Sequence, residues 1–347
     1  MMERPRSHRP TGGANSLFNT THVNSILRIG TRGSPLALYQ ANAVAALLRD
    51  RVGTQSEIVA IKTSGDRLGE APLSEVGGKR LFVKEIEDAL VAGEVDLAVH
   101  SSKDMPALLP DGLEIAGVLP REDPRDAIVL PAGQSADQQI DRIRETLGSA
   151  PRIGTSSVRR IAQLAGFASA ATFLPVRGNL DTRLRKLDSG DYDALVLAAA
   201  GLRRLERGAR ISALLPVELC VPAPGQGIIA VEIRQGDART AELIKAFDDA
   251  SASVALRAER AVVDRLGGGC QMPIGAFAQI MTGDEMSITS IVVSTDGSRS
   301  VRATVHGSVH APEQLGRQAA DTLLADGAES ILEEARRALS ETESHHQ

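Results

Sequence analysis

The chain has 347 residues, of which 42% are hydrophobic and 24% are charged, values typical of a globular protein and not of a disordered or fibrous chain. Its length predicts two or three domains. Aromatic residues make up only 2%, Trp is absent and the net charge is -5, which argues against a stacking surface for single-stranded nucleic acid and against general polyanion binding. A local basic pocket inside an acidic protein is compatible with these values.

Cysteine usage and hydropathy predict a cytoplasmic protein. Cys220 and Cys270 offer neither a zinc spacing nor a disulfide framework, so we expect a reducing compartment and no metal site. No apolar run is long enough to span a bilayer. Residues 1–25 are polar, rich in Pro and Gly, and lack the apolar core of a signal peptide, which predicts a disordered tail. An organellar transit peptide is the alternative interpretation of this segment.

The first elements alternate between strands and helices. A strand is expected over residues 26–30, and Ser34 followed by Pro35 predicts the start of a helix whose amino end favours an anion in a crevice. A strand over 57–63 and a loop over 64–78, long enough to be a mobile lid, come next. A helix beginning at Lys79 then leads to an apolar strand that ends near Val99.

Two pairs of segments recur in the same order along the chain. Residues 152–155 (RIGT) repeat residues 28–31 (RIGT), and residues 190–196 (GDYDALV) resemble residues 93–99 (GEVDLAV). Because both pairs are strand-to-helix or helix-to-strand junctions, they predict two α/β domains of one architecture that face each other across a cleft.

The remainder of the chain predicts a return and a third domain. After Pro216 an apolar segment leads through PAPGQG (222–227) into a strand over 228–233 that returns to the first domain. Strands over 274–280, 287–294 and 300–305, followed by helices over 312–325 and 329–339, describe an α+β domain with a tight hairpin turn at Asp296-Gly297. The predicted bounds are 26–122 with 222–247, then 123–221, then 248–342.

Asp104 is the first catalytic candidate. It follows the apolar strand over 97–99, and the carboxyl ends of strands in an open α/β sheet meet at the edge where ligands bind. The alternative is a structural carboxylate that pairs with Lys103 or caps the next turn.

Arginines concentrate at the same kind of position. Arginine binds carboxylates through two parallel hydrogen bonds, so a cleft lined by many arginines suits a ligand with many carboxylates, and Thr155 and Ser157 add neutral donors. The alternative is a set of solvated surface charges. The arginines in question are Arg32, Arg159, Arg160, Arg177, Arg183 and Arg204.

Cys270 follows three glycines in a loop without apolar cover, which favours a thiol available for covalent chemistry over a packed one. Cys220, between Leu219 and Val221, fits the packed description. The alternative for Cys270 is an incidental loop thiol.

Eight motifs, in order, resemble the porphobilinogen deaminase (hydroxymethylbilane synthase) family: RIGTRGSPLAL, VGGKRLFVKEIEDAL, AVHSSKDMP, GTSSVRR, VRGNLDTRL, LAAAGLRRL, PAPGQG and GGGCQMPIG. The resemblance implies three domains, the first two similar to two-lobed periplasmic binding proteins. It also implies a transferase that joins four porphobilinogens head to tail, releases ammonia each time and hydrolyses the linear tetrapyrrole free, in porphyrin and haem biosynthesis. The chain would grow on a covalent dipyrromethane cofactor.

The resemblance also implies roles for individual residues. Asp104 matches the catalytic aspartate, where a carboxylate beside the pyrrole nitrogens can stabilise the cationic azafulvene left by loss of ammonia and can move protons. Cys270 matches the thioether attachment site, whereas His100 receives no proton-transfer role and is expected to be packed. Cofactor binding is implied for Ser101, Lys103, Thr155, Ser157, Arg159, Arg160, Arg183 and Arg204, and substrate binding for Arg32, Lys79, Arg177 and Gln226.

Two other functions compete with this one. A two-lobed protein that captures a carboxylate ligand without converting it would explain the repeats and the arginines, but it leaves Lys103, Asp104 and Cys270 without a task. An unrelated transferase for phosphorylated substrates is the second alternative. For the family function we expect a monomer with porphobilinogen as its small-molecule partner and with no nucleic acid or membrane partner.

Overall fold

The structure, a computed structural model, describes residues 26–67, 82–134, 139–269 and 272–344. The predicted tail, most of the predicted lid with Lys79, and Cys270 lie outside the described residues.

Thirteen strands are assigned within the described ranges, and they form three sheets. In chain order the strands are β1 (Leu27–Arg32), β2 (Ser56–Ile61), β3 (Leu97–Ser101), β4 (Leu113–Val118), β5 (Asp126–Val129), β6 (Arg152–Gly154), β7 (Thr172–Leu174), β8 (Ala194–Ala198), β9 (Ala213–Leu214), β10 (Ile229–Arg234), β11 (Ile274–Ile280), β12 (Glu285–Val293) and β13 (Ser300–Ser308).

The helices of the same part of the chain lie mainly between these strands. They are α1 (Pro35–Val52), α2 (Ser64–Arg67), α3 (Lys84–Val91), α4 (Ile140–Leu147), α5 (Val158–Leu164), α6 (Leu180–Asp188), α7 (Ala199–Arg204), α8 (Ala238–Lys245), α9 (Ala250–Arg265), α10 (Pro312–Ala325) and α11 (Ala328–Ser344).

The first two sheets have the same construction. The first has the strand order β2-β1-β3-β10-β4 and the second β7-β6-β8-β5-β9. In each sheet the first three strands are parallel, and the fourth runs antiparallel to both of its neighbours. The two predicted α/β domains of one architecture are therefore confirmed, as is the return of the chain to the first domain through β10.

The antiparallel strands were not predicted, and they have a common origin. β5 is the first strand after the chain leaves the first sheet, and β10 is the first strand after it leaves the second. The chain thus passes between the domains twice, over residues 119–125 and 215–228, which we call the first and second crossing segments. The first segment leads into β5 and the second into β10, and each of these strands lies inside the opposite sheet. The two domains are therefore connected by two neighbouring stretches of chain.

The sequence repeat has a physical basis at the amino ends of the strands. Arg28 on β1 binds Asp96 through its side chain and its backbone amide, and it donates a further bond to the Gly93 carbonyl oxygen at 2.8 Å. In the second domain Arg152 on β6 makes the same set of bonds with Asp193 and Gly190. The repeated residues therefore join β1 to the turn before β3 in the first domain, and β6 to the turn before β8 in the second.

Helix α1 follows its sequence signals closely. The Ser34 hydroxyl accepts a bond from the Ala37 amide at 3.3 Å, and Pro35 occupies the first turn, as predicted. Ala41, Val44 and Leu48 are fully buried against the first sheet. The helix ends at Gly53, whose φ of 70° is the left-handed conformation that favours glycine at this position.

The third sheet is an antiparallel meander, β11-β12-β13, packed against α9, α10 and α11 in one core. Strand β11 and helix α10 have the predicted bounds, and Gly297 in the predicted hairpin turn has a φ of 74°. The predicted α+β domain is confirmed, whereas the finer domain bounds stay predictions.

The third domain packs on the second domain behind helix α5. Ile291 and Val293 of β12 share a small core with Ala162 of α5 and Val221 of the second crossing segment. The hairpin turn approaches so closely that a Cβ on Gly297 would lie 2.6 Å from the Ala162 carbonyl oxygen. Since α5 carries Arg159 and Arg160, this contact places two predicted site residues between two domains.

Candidate active site

The carboxyl end of β3 forms one wall of the site. After Ser101 the chain makes a short 3-10 turn over Ser102–Asp104, closed by a bond from the Met105 amide to the Ser102 carbonyl oxygen at 3.1 Å. Met105 is buried in the apolar cluster beneath, which holds the turn in place. Lys103 and Asp104 are thereby presented side by side at the sheet edge where the sequence predicted a ligand site.

Gln40 supports this wall from α1, and the sequence analysis missed it. Its amide nitrogen donates to the Ser101 hydroxyl at 2.8 Å, and the hydroxyl also lies 3.2 Å from the Gln40 amide oxygen. Gln40 is buried on the face of α1 that otherwise carries Ala41, Val44 and Leu48. A polar residue on a buried helix face was the signal available in the sequence.

A pocket opens where all three domains meet. Lys103 contributes from the first domain, Ser157 and Arg159 from the second, and Gly269 and Met272 from the third. Cys270 lies outside the described residues, and Gly269 and Met272 are the described residues that come before and after it in the chain. Gly269, Met272 and two of the predicted cofactor-binding cations therefore border one cavity.

Arg159 and Arg160 are buried side by side at the start of α5, with relative exposures of 5% and 8%. Both form ion pairs with Asp126, each with a closest distance of 2.8 Å. Burial alone would raise the pKa of the Asp126 carboxyl, but the charges of Arg159 and Arg160 outweigh it and hold that pKa far below its ordinary value. Neither arginine is a solvated surface charge, so the alternative interpretation is wrong for this pair.

A second group of charges lies across the cleft from Asp104. The pKa of Arg183 is lowered to about 10, first by burial and then by the neighbouring charges of Arg160 and Arg177, while Asp104 acts in the opposite direction. Arg32 of the first domain also contributes to lowering it. The predicted catalytic carboxylate and four of the predicted arginines therefore interact electrostatically, although they come from different domains.

Lys103 is strongly affected by the same charges. Its pKa is lowered to about 8, mainly by burial; Arg160 and Arg159 also lower it, and Asp104 and Asp126 partly offset these effects. Its charge therefore changes within the range of pH in which enzymes are commonly assayed.

Arg32 is held by Asp66, at the start of the predicted lid, and by Phe82, which follows the lid. Its guanidinium binds Asp66 with a shortest distance of 2.5 Å, and it stacks over the Phe82 ring at 4.2 Å from the centroid. Asp66 in turn accepts bonds from the Thr63 amide and hydroxyl. This arrangement fixes Arg32 at the end of β1.

Two other predicted residues lie at the crossing segments. Arg204 donates to the Gly227 carbonyl oxygen at 2.6 Å. Gln226 is fully buried, and its amide nitrogen donates to the Pro124 carbonyl oxygen and to Asp126. Both residues bind other parts of the protein, and neither is among the residues that line the pocket.

Ser157 and Thr155 lie together before α5. The Ser157 amide donates to the Thr155 hydroxyl at 3.3 Å, and Thr155 is almost fully buried. Of the two, Ser157 lines the pocket.

Two residues outside the cleft, His100 and Cys220, are buried. His100 is packed, as predicted, with its Nε2 3.1 Å from an oxygen of the fully buried Glu232. Cys220 is also packed, as predicted, and burial raises the pKa of its thiol to about 12, so it is a poor nucleophile.

Glu259 on α9 joins the third domain to both crossing segments. Its carboxylate forms a two-point pair with Arg121 of the first segment and accepts the Gly225 amide of the second at 2.6 Å. It also accepts the Ala278 amide of β11. The sequence analysis missed Glu259 and Asp126 because their partners are up to 138 residues away in the chain.

The described ranges lack two further kinds of candidate feature. They contain no cluster of three or more His, Cys, Asp or Glu side chains suited to a metal ion. Nor do they contain a helix with the length and hydropathy to cross a membrane.

Two family models together match most of this chain. Residues 27–242 match the model described as porphobilinogen deaminase, dipyromethane cofactor binding domain, and residues 254–325 match porphobilinogen deaminase, C-terminal domain. The chain belongs to the porphobilinogen deaminase family. The family resemblance predicted from the eight motifs is thus confirmed.

Individual members of the porphobilinogen deaminase family are similar along almost their whole length. A porphobilinogen deaminase of Syntrophotalea carbinolica is 47% identical over 89% of this chain and 96% of its own. One of Geobacter metallireducens is 47% identical over 89% of this chain and 94% of its own. Among solved structures, an ancestral cationic amino acid solute binding protein is 14% identical over 64% of this chain and 87% of its own, with a TM-score of 0.41.

Proposed function

We propose that this chain is a hydroxymethylbilane synthase, which condenses four porphobilinogens head to tail with loss of ammonia and releases the linear tetrapyrrole. The observation that carries the proposal is the pocket between the three domains. It brings Lys103, Arg159 and the neighbours of Cys270 together beside the turn that carries Asp104.

The residues around the pocket suit a dipyrromethane with several carboxylates. Lys103, Ser157 and Arg159 supply two cations and a hydroxyl at the pocket wall, and Arg160 lies close enough to lower the pKa of Lys103 and of Arg183. Guanidinium groups bind carboxylates through paired hydrogen bonds, so these residues would hold the acidic side groups. When bound, the dipyrromethane supplies the primer to which pyrrole units are added, and Cys270 would hold it through a thioether.

We assign Asp104 the catalytic role. Departure of ammonia from porphobilinogen leaves a positive charge shared with the pyrrole nitrogen, and a carboxylate aimed at that nitrogen stabilises the charge. The same carboxylate can accept and return a proton as the new carbon–carbon bond forms. Asp104 is the only acidic residue in the short turn at the end of β3.

The remaining predicted residues receive supporting roles in this proposal. Arg32, Arg177 and Lys79 would bind the acetate and propionate groups of incoming porphobilinogen. Ser101, held by Gln40, and Thr155, beside Ser157, would keep the two cleft walls in shape. Gln226 in the second crossing segment and Arg204 at the end of α7 would fix the crossing backbone behind the cleft through their bonds to the Pro124 and Gly227 carbonyl oxygens.

Incubation with porphobilinogen tests this function directly. We expect the purified chain to consume porphobilinogen, release one ammonia per molecule consumed and yield a product that becomes an absorbing porphyrin after oxidation. The Cys270→Ser variant should have lost this activity. A folded wild-type chain that binds porphobilinogen without consuming it would instead support the two-lobed binding protein.

We also propose that the enzyme acts as a cytoplasmic monomer without nucleic acid. Light scattering of the eluted protein at several concentrations measures its mass, and the absorbance ratio at 260 and 280 nm reports any bound nucleic acid. A mass of two chains across all concentrations would contradict the monomer.

A further inference from the structure

Asp126 is a buried charge that none of the roles above explains. It opens strand β5, immediately after the first crossing segment, and its side chain is fully buried. A buried carboxylate is costly unless other groups compensate its charge and its lone pairs.

Both oxygens of Asp126 are fully engaged. Oδ1 accepts bonds from Arg160 Nε at 2.9 Å and Gln226 Nε2 at 2.9 Å and lies 2.8 Å from Arg160 Nη2. Oδ2 lies 2.8 Å from Arg159 Nη1 and accepts the Cys220 thiol at 3.4 Å. Because these groups occupy the carboxylate, it acts on its neighbours and does not bind a ligand itself.

The same arginines are fixed at a second point on the framework. Arg159 Nη1 also donates to the Val221 carbonyl oxygen at 2.7 Å, and Arg160 Nη1 donates to the Val196 carbonyl oxygen at 3.0 Å. A planar guanidinium held at two points has little freedom to rotate, so its remaining N–H groups keep one direction. For Arg159, which lines the pocket, that direction is set beside Lys103 and Ser157.

Asp126 also changes the charge balance of the pocket. Lys103 interacts with Arg159, Arg160, Asp104 and Asp126. Among these five side chains, removing the Asp126 charge would leave three cations and one anion, which would favour loss of the Lys103 proton.

We propose that Asp126 is a positioning residue for the condensation: its buried carboxylate fixes Arg159 and Arg160 in the orientation that receives the carboxylates of the growing pyrrole chain. This inference rests on the proposed function. It assigns Asp126 an effect on binding and elongation in addition to its contribution to folding.

Asp126→Asn tests the proposal because it keeps the shape of the side chain and removes its charge. We expect kcat/KM for porphobilinogen to fall by about 10- to 100-fold, mostly through KM, since a small displacement of a positioned binding group has effects of this size. Intact mass spectrometry during turnover should show early elongation intermediates accumulating relative to the wild type. KM should rise with pH as Lys103 loses its proton. In Asp126→Asn this rise should begin at a lower pH than in the wild type.

Asp193→Asn is the matched control. Asp193 pairs with Arg152 at the amino end of β6, whereas the pocket-lining Ser157 and Arg159 follow the carboxyl end of that strand. We expect its kcat/KM and its distribution of intermediates to match the wild type. Both variants are compared at equal folded fraction, measured by thermal unfolding.

Asp126→Glu decides the case if the asparagine variant does not fold. It keeps the charge and moves the carboxylate by one methylene, so a folded protein with a raised KM and accumulated intermediates supports positioning. Wild-type KM and intermediates in a folded Asp126→Asn variant, or in Asp126→Glu when only that variant folds, would overturn the proposal. Failure of both variants to fold, while Asp193→Asn folds, would assign Asp126 to stability alone and overturn it as well.

The proposed function fails separately from this inference. A wild-type chain that does not consume porphobilinogen rejects the function itself. An active wild type with an unaffected Asp126→Asn variant rejects only the positioning role.

Discussion

The two α/β domains share an architecture but differ at the cleft. At the amino ends of their strands they are almost interchangeable, with Arg28 and Asp96 in one domain doing what Arg152 and Asp193 do in the other. At the carboxyl ends they diverge, because β3 leads into a short turn with Lys103 and Asp104, whereas β8 leads directly into α7.

The two ends of each sheet therefore have different roles, one in folding and the other in the proposed chemistry. The repeated residues at one edge of each sheet preserve the strand junctions, and the opposite edges have acquired different tasks. In the proposed function the first domain supplies the carboxylate that acts on the pyrrole. The second supplies arginines that hold the acidic groups, fixed by the buried Asp126.

Removing the carboxylate from the first domain should have the largest effect. We expect Asp104→Ala to lower kcat by about 10²- to 10⁴-fold, the range for loss of a general acid–base group. Porphobilinogen consumption measures the loss, and thermal unfolding checks that the variant folds. Asp111→Ala removes an exposed carboxylate from the following loop and serves as the control. Wild-type turnover in Asp104→Ala would contradict the assignment of the catalytic carboxylate to the first domain.

Removing an arginine from the second domain should have a smaller and different effect. We expect Arg177→Leu to raise KM by about tenfold, in line with the loss of one charge-assisted contact, and to stall elongation. Intact mass spectrometry would detect the stalled intermediates. Arg185→Leu on the exposed face of α6 is the matched control. Unaltered product formation in Arg177→Leu would count against an arginine-lined cleft.

The pH dependence of binding should depend on the lysine of the first domain. Lys103 is protonated below its pKa of about 8 and loses its charge above it. Binding of carboxylates should therefore weaken, and KM should rise, as pH increases through this value. We expect Lys103→Arg to show a flatter profile between pH 7 and 9, since arginine stays charged. An unchanged profile in this variant would assign the titration to another group, and Lys245→Arg on exposed α8 controls for the exchange itself.

The ion pairs Arg28–Asp96 and Arg152–Asp193 should contribute differently to the stability of the protein, and neither should affect its activity. Asp96 is less exposed than Asp193, so we expect Asp96→Asn to lower the Tm more than Asp193→Asn, with both retaining kcat/KM within about twofold. Burial acts to raise the pKa of Asp96, but the bonds from Arg28 outweigh it and lower the pKa. The stabilisation is thus present above the ordinary aspartate pKa and lost as pH falls through the lowered one. A Tm difference that persists unchanged at low pH would contradict this account.

Local patterns were sufficient to predict much of the fold. The Ser34-Pro35 start of α1, the hairpin turn at Gly297 and the bounds of β11 and α10 follow from caps, turn residues and hydrophobic spacing. The antiparallel direction of β5 and β10 could not be predicted in this way, because it depends on the chain crossing between domains twice.

The site was predictable where its residues follow strand ends, and less so where they are buried. Lys103, Ser157 and Arg159 do line one pocket. Asp126 and Glu259 were missed because a single acidic residue near an apolar run resembles a surface residue until its distant partners are known. Their bonds to Arg160 and Arg121 exist only in the folded chain.

The most direct test of the account is the intact mass of the chain purified without denaturation. We expect the active wild type to exceed the mass of its polypeptide by one dipyrromethane, attached to Cys270 by peptide mapping, and Cys270→Ser to have the mass of the polypeptide alone. An active wild type with an unmodified Cys270 would contradict the proposal that a tethered primer grows between the carboxylate of one domain and the arginines of the other.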